Sequence, residues 1–258
     1  MTAEIDFSGP VPINEQIAEL MRDNIFSGEW PKDYKLKSET DLSELYNVSR
    51  GTIRKAIEIL IDEGLLVRIH GRGTFVKTNI LLEQSPNGRI AGFSRDLLLR
   101  GIPFSTDIQL AEVIHPPPHI AKILLLKPDE YIFHLKRLRK ILHRPVLVIE
   151  NHLNYQLCEG VEKINFSKEQ LYTTLESKFG IQFDWARRTY KAQIADENLA
   201  KILNIRVGSP VMYLEELYHV VGDVPVEFTK AWANADIFHI TTRINRRDEK
   251  RDGYGLNH

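Results

Sequence analysis

A single cysteine, Cys158, stands among 258 residues. One thiol cannot close an internal disulfide or supply the cysteine cluster of a structural zinc site. With no base near it in the chain, Cys158 reads as a buried structural thiol. Long apolar runs are missing too: nothing approaches the roughly 20 residues needed to span a bilayer. The opening MTAEIDFSGP has no basic-then-apolar targeting pattern. These absences predict a cytoplasmic protein without a membrane partner. Catalytic constellations are also lacking, since no carboxylate pair or Ser/His/Asp set stands out. Seven of the histidines, His115, His119, His134, His143, His152, His219 and His239, show no ligand spacing on one helix, and each reads as a core or surface residue. The expectation is therefore no catalytic residue, no metal and no cofactor. Charge of either sign is not in excess, because 34 Lys+Arg against 35 Asp+Glu leave a net charge of −1. That argues against a nonspecific polyanion binder.

What positive charge there is, the chain concentrates. Residues 1–79 hold ten Lys/Arg against thirteen Asp/Glu, but within 49–79 the balance is six against three. In that stretch Ile53, Ile57, Leu60 and Ile61 recur at helical spacing and line one face. Arg50, Thr52 and Arg54 crowd the first turns, mostly off it. Ser49 is a suitable N-cap, and Gly64 suits the end of the helix. Two β-like runs follow, Leu65–His70 and Thr74–Lys77, joined by Gly71-Arg72-Gly73. Upstream, Ser38 and Asp41 form a capping-box pattern for a shorter helix with Leu42, Leu45 and Tyr46 on its apolar side. A helix over Ile13–Ser27 precedes it, after an extended leader with Pro10 and Pro12. Helix, short turn, Arg-bearing helix and Arg-tipped hairpin describe a winged helix-turn-helix. Such a helix start fits the major groove, where Arg reads guanine bidentately. A guanidinium on a thin hairpin reaches phosphates or the minor groove.

Ser38-Glu39, Val48-Ser49-Arg50, Thr52-Ile53-Arg54, Glu63-Gly64-Leu65 and Gly71-Arg72-Gly73-Thr74-Phe75-Val76 resemble the DNA-binding domain of GntR-type regulators over roughly residues 11–77. One departure is Lys37, where the family usually has Pro. The residues expected at DNA are Ser38, Glu39, Ser49, Arg50, Gly51, Thr52, Arg54, Arg72, Gly73 and Thr74.

From Gly92 the pattern changes. A short helix is expected over Ser94–Arg100, a strand over Phe104–His115 and a helix from Pro116–Pro118 to about Leu124. Tyr131–Leu142 and Val146–Asn154 read as a hairpin turning at His143-Arg144-Pro145. Ser167–Phe179 reads as a helix, Phe183–Ala195 as a strand and Asp196–Leu203 as a helix. Val211–Val221 and Val224–Ala233 read as a second hairpin across Gly222-Asp223, and Ile237–Ile244 as a last strand. Ala121-Lys-Ile-Leu recurs at Ala200-Lys-Ile-Leu, each copy followed by a Pro-containing hairpin. This echo predicts two helix–hairpin halves in one mostly antiparallel sheet, with a crevice between them as a natural ligand pocket.

Along Tyr131–Ile141, period two puts Tyr131, Phe133, Leu135, Arg137, Arg139 and Ile141 on one face. If that face is buried, the two guanidiniums need an anionic partner, because an unpaired buried charge is very costly. A phosphate or carboxylate would serve as ligand. A structural network with Glu150, or a solvated sheet edge, would serve equally well. On the next strand Val146, Val148, Glu150 and His152 share a face, and Glu227 opens the last hairpin's return strand.

Gly92-Phe93-Ser94, the Arg137-x-Arg139 strand, Pro145 with Glu150, Leu171-Tyr172, Leu175-Glu176, and Pro225-x-Glu227 with Asp236 resemble a UTRA domain over about residues 92–245. This is the effector-binding module of the HutC-like branch of GntR regulators. The resemblance implies a chorismate-lyase-like fold. It also implies that Arg137, Arg139 and Ser94 contact a bound anion, with Phe93, Glu150, Tyr172 and Glu227 around them. Gln170 replaces a Ser that some members use for phosphate, so the ligand implied is an anion rather than a phosphosugar in particular.

The chain is thus expected to be α+β. The winged helix-turn-helix occupies residues 1–77, a linker 78–91, a mostly antiparallel effector and dimerisation domain 92–245 and a charged tail 246–258. The function expected is a homodimeric, sequence-specific transcriptional regulator, a repressor released from double-stranded operator DNA by a small anionic effector. Two readings compete with it: a DNA-binding dimer whose second domain is purely structural, and a lyase-like enzyme domain.

Overall fold

Local hydrogen bonds at helix starts organise the N-terminal region. The computed structural model describes residues 5–77, 82–84, 97–98, 102–235 and 237–240. Helix α1 runs Ile13–Phe26, α2 Glu39–Tyr46 and α3 Arg50–Asp62. Ser38 accepts from the Asp41 amide at 3.1 Å while the Asp41 carboxylate accepts from the Ser38 amide at 3.2 Å, closing the capping box. Ser49 caps α3 by accepting from the Thr52 amide at 3.1 Å. Asn47, at φ 52°, turns the chain between α2 and α3.

The apolar faces meet in one core, with Ile17, Met21 and Ile25 of α1 against Leu42 of α2 and Ile53, Ile57 and Leu60 of α3. Leu45, expected on the apolar side of α2, instead points outward with 58 % of its surface exposed. An eight-residue helix laid on one neighbour buries only a narrow stripe. Arg22 of α1 reaches Glu63 just past α3 at 2.6 Å. The leader is pinned to α1 by Gln16, whose side-chain amide donates to the Asp6 and Val11 carbonyls at 2.8 Å each. Strands β1 (Leu66–Ile69) and β2 (Gly73–Val76) form the wing. Gly73 sits at φ 117°, and a Cβ there would meet the Lys35 side chain at 3.1 Å.

The C-terminal region is built on a six-stranded antiparallel sheet of order β4-β5-β6-β9-β8-β7. Its strands are β4 (Phe104–Ile114), β5 (Ile132–Ile141), β6 (Arg144–Asn154), β7 (Phe183–Ile194), β8 (Pro210–Val220) and β9 (Val224–Asn234). The order is symmetric about the β6–β9 pair, so the two halves marked by the repeated Ala-Lys-Ile-Leu meet there. Those repeats lie in helices α4 (Pro118–Ile123) and α6 (Glu197–Leu203). Both pack on the same face: Ile120 and Leu124 cover Ile132 and Phe228, while Ala200 and Leu203 cover Leu138, Val148 and Val211. Helix α5 (Leu171–Phe179) and the 3₁₀ turns before it lie over the other face, against Phe133, Leu135, Leu153 and Tyr218.

Three elements differ from expectation. The β5–β6 turn is the two-residue Leu142-His143, at φ 49° and 65°, and not His143–Pro145. A tight turn with both residues at positive φ matches the sheet's twist, and Pro145, which cannot donate, sits at a register shift. Helix α5 starts at Leu171 rather than Ser167, because Asn165 accepts from both the Ser167 amide at 3.0 Å and its hydroxyl at 2.7 Å and holds a turn. Within the expected linker, β3 (Leu82–Gln84) pairs in parallel with β10 (Phe238–Ile240). Of the expected helix at 94–100 only Leu97 and Leu98 fall among the described residues, and both are helical. The rest of the linker, residues 241–244 of the last strand and the tail lie outside the described residues. Among the described residues no helix is long and apolar enough to cross a membrane.

Ile57→Ala should remove packing at the centre of the three-helix core and destabilise the protein by about 2–5 kcal/mol. A urea or guanidinium titration measures this, and a loss below about 1 kcal/mol would contradict the core assignment.

Candidate functional site

The start of α3 presents Arg50, Gly51 and Arg54 to solvent, with Thr52 half-buried behind the Ser49 cap. Glu39, on the first turn of α2, holds Arg54 in place. Its carboxylate accepts from Arg54 Nε at 3.1 Å and Arg54 Nη2 at 2.9 Å, and from Arg68 of β1 at 3.4 Å. The hydrogen bond from Arg54 and the surrounding arginine charges hold the Glu39 carboxyl below its usual range. Arg50 donates to the Thr40 hydroxyl at 3.5 Å. Arg72, at the wing tip, lies over the Phe75 ring at 5.9 Å. The ten residues singled out for this surface thus fall on three adjacent pieces: the α2 start with Ser38 and Glu39, the α3 start, and the wing with Arg72, Gly73 and Thr74. A helix start flanked by a cationic hairpin can meet a phosphate backbone and offer guanidinium forks to base edges.

A second polar cluster is buried where β6 meets β9. Arg137 and Arg139 of β5 are each only 3 % exposed, on the face covered by α5. Arg137 donates to Asn151 Oδ1 at 2.7 Å. The Asn151 amide donates to Glu227 Oε1 at 2.6 Å and to the Thr229 hydroxyl at 2.8 Å. Thr229 and Tyr172 also donate to Glu227, at 2.6 and 3.4 Å. Arg139 donates to the Thr106 hydroxyl and lies over the Phe104 ring at 4.6 Å. Two polar atoms here, Arg137 Nε and Glu227 Oε2, have no hydrogen-bond partner among the described residues.

Burial sets the electrostatics. It pushes the Glu227 carboxyl up to about 7, against the opposing pull of Thr229, Asn151 and Arg137. Burial, and then the Arg137 charge, push Arg139 down to about 9, which still leaves its guanidinium protonated at neutral pH. Arg137 is lowered for the same first reason. Next to Arg139 opens a cavity of about 310 Å³, walled by Phe104 and Thr106 on one side and by Ser167, Lys168, Glu169 and Gln170 on the other. A larger cavity, about 680 Å³, lies between the leader and α1, far from these arginines; Glu15, Glu19 and Glu63 on its walls make it a poor host for an anion.

Not every residue expected at this second site is there. Glu150 lies on the opposite face of the sheet, because the register pairs it with Lys136, which it meets at 2.9 Å. Its neighbour Asn151 takes the place beside Arg137. Phe93, Ser94 and Asp236 lie outside the described residues. Arg137, Arg139, Tyr172 and Glu227 converge as a group. Asn151, Thr229 and Thr106 complete it without having been anticipated. Their signal is a polar residue breaking an apolar alternation, as Asn151 does after Leu147 and Ile149.

Comparison with known proteins identifies both regions of the chain. Residues 13–76 match the family of bacterial regulatory proteins of the gntR type, and residues 99–239, more than half of the chain, match the UTRA domain. The HTH-type transcriptional repressor NagR of Bacillus subtilis (strain 168) is 27 % identical over 242 residues, covering 94 % of this chain and 98 % of that one. The mannosyl-D-glycerate transport/metabolism system repressor MngR of Escherichia coli (strain K12) is 23 % identical over 245 residues, covering 94 % and 100 %. The crystal structure of PhnF from Mycobacterium smegmatis shares the fold, with a TM-score of 0.61 at 19 % identity over 89 % of this chain and 99 % of that one. The chain belongs to the gntR family of bacterial regulatory proteins and carries a UTRA domain: it is a sequence-specific DNA-binding transcriptional regulator.

Proposed function

We propose that this regulator is a repressor whose hold on operator DNA is released by a small anionic metabolite bound beside Arg137 and Arg139. The observation that carries the reading is the buried Arg137 guanidinium, which keeps a donor without a hydrogen-bond partner among the described residues. Its neighbour Arg139 faces a 310 Å³ cavity with Lys168 and Glu169 on its wall. Desolvated guanidiniums of this kind favour phosphate or carboxylate, which accept from the fork. Relatives that match over nearly their whole length are named as repressors.

The working form is a homodimer in the cytoplasm, with residues 1–77 on DNA and residues 92–245 binding effector and dimerising. The sheet domain shares its fold with chorismate lyase but acts as a sensor. Ser38, Glu39, Ser49, Arg50, Gly51, Thr52, Arg54, Arg72, Gly73 and Thr74 meet the operator, with Arg54 reading a base. Tyr172 and Glu227 complete the anion site, together with Phe93 and Ser94. Dimerisation sets the spacing of two recognition helices over a near-palindromic operator. Release follows if the effector binds the off-DNA arrangement more tightly than the on-DNA one. A physical link between the two sites supports this. The β5–β6 hairpin that carries both arginines ends at Arg144, which bonds Asp23 of α1 at 2.8 Å, pairs with Glu19 and lies over the Phe26 ring at 5.1 Å.

Arg54→Ala should weaken binding to the protein's own upstream DNA by about 1–3 kcal/mol and relax base preference at one position of each half-site. Gel shifts over single-base operator variants measure this, and unchanged affinity would remove Arg54 from the contact. Sulfate, divalent throughout this range, should bind more tightly as pH falls through about 7. There Glu227 takes up a proton, and the negative charge facing Arg137 disappears. The gain should be on the order of tenfold and absent in Glu227→Gln. Calorimetric sulfate titrations at pH 6 and 8 would test it, and a pH-independent affinity in the unmodified protein would contradict the assignment.

A further inference from the structure

On the face of the sheet opposite the arginines, between the patches covered by α4 and α6, runs a polar strip. The register of β5 against β6 creates it: His134 pairs with His152, and Lys136 with Glu150. Directly paired residues and those two apart on one strand share a face, so both imidazoles and the Glu150 carboxylate converge. One donor atom from each of the three lies within 4.8 Å of the others. The two rings stack with centroids 4.7 Å apart and planes 14° from parallel. No helix carries these donors at ligand spacing, so a search for such spacing along the chain passes over them.

We propose that His134, Glu150 and His152 form a binding site for a borderline divalent transition-metal ion of the zinc type. Two imidazole nitrogens and one carboxylate oxygen make a donor set that zinc accepts, with a fourth position left for water. Calcium and magnesium, which take oxygen ligands, are poor candidates.

The hydrogen bonds leave the needed lone pairs available. His152 Nδ1 lies 3.1 Å from the Phe228 carbonyl, which can only accept, so Nδ1 carries the proton and Nε2 presents a lone pair. A backbone carbonyl orienting the far nitrogen is the usual outer partner of a ligating histidine. His134 Nε2 is buried and has no hydrogen-bond partner among the described residues.

Two lysines compete for Glu150: Lys136 on β5, with its ammonium 2.9 Å from one Glu150 oxygen, and Lys230, which faces Glu150 in the register of β9. A carboxylate has a second oxygen, so Glu150 can keep Lys136 and still bind a metal. Metal binding would draw the donors to about 3.3 Å apart, as tetrahedral bonds of about 2.0 Å require. Side-chain rotation supplies that movement, since the three Cβ atoms already project from adjacent places on one face.

The test is titration of the full-length protein, stripped with chelator and dialysed, with Co²⁺ followed by d–d absorption and with Zn²⁺ by competition. The expected result is one ion per chain in a four- or five-coordinate site. Binding should fall at least tenfold in His134→Gln and in His152→Gln, judged against the 10–100-fold loss that even outer partners cause. It should stay unchanged in a control, His119→Ala, at the exposed start of α4. Far-ultraviolet circular dichroism identifies any variant that fails to fold, and Glu150→Gln, at a partly exposed position, gives an independent reading. Absence of a stoichiometric site, or a site that survives in both histidine variants, would overturn the proposal.

Discussion

A guanidinium removed from water inside a β-sheet must be surrounded by acceptors, and much of the C-terminal domain is arranged around that requirement. Arg137 sits at the middle of β5, beneath α5, where an isolated charge would cost several kcal/mol. The response crosses three strands. Asn151 on β6 accepts from Arg137 and passes its own donors to Glu227 and Thr229 on β9. A chain of this kind needs polar side chains at the centre of one face of two strands, a face otherwise apolar, and Asn151, Glu227 and Thr229 are all essentially without exposure. It also keeps the Glu227 carboxyl near 7, because burial opposes its ionisation more than its donors favour it. Half-satisfied buried networks are costly in a core. Among the described residues one donor on Arg137 is left over, and the proposed anion is what would take it.

The hairpin carrying this network also provides contact between the two ends of the chain. Beyond Arg139 the strand turns at Leu142-His143, and Arg144 enters β6 against α1. The apolar core is continuous across the same junction, with Ile141, Val146 and Leu147 of the hairpin in one cluster with the three-helix core. Strands β5 and β6 thus touch the helix that supports α3. At the other end of that helix pair, Glu39 holds Arg54 and Arg68 in place before any DNA arrives. Such holding lowers the ordering cost of any contact these side chains go on to make.

The winged helix-turn-helix was legible in the sequence because its determinants are local. Ser38 with Asp41 and Ser49 with Thr52 act within one turn, and the Gly-flanked wing tip is set by backbone conformation alone. Leu45 falls outside the buried stripe of α2, whose width depends on what packs against it. In the second domain, period-two reading put Arg137 and Arg139 on one face correctly. It could not say which alternation of the next strand lies beside them. A one-residue difference in register exchanges Glu150 for Asn151 and flips every side chain, so Glu150 was expected at the arginines and lies instead with Lys136 and two histidines. The start of α5 was misjudged because Asn165 captures Ser167 in a turn, a competition between local hydrogen bonds that periodicity does not record.

The most direct measurement of the central claim is fluorescence anisotropy of labelled upstream DNA with the full-length protein, titrated with the anionic metabolite that most raises its melting temperature. If the buried arginine site governs DNA binding, the dissociation constant for DNA rises as that site fills, and Arg137→Ala binds DNA normally but no longer responds. A metabolite that saturates the protein while leaving the DNA affinity unchanged would contradict the account and reduce the second domain to a structural role.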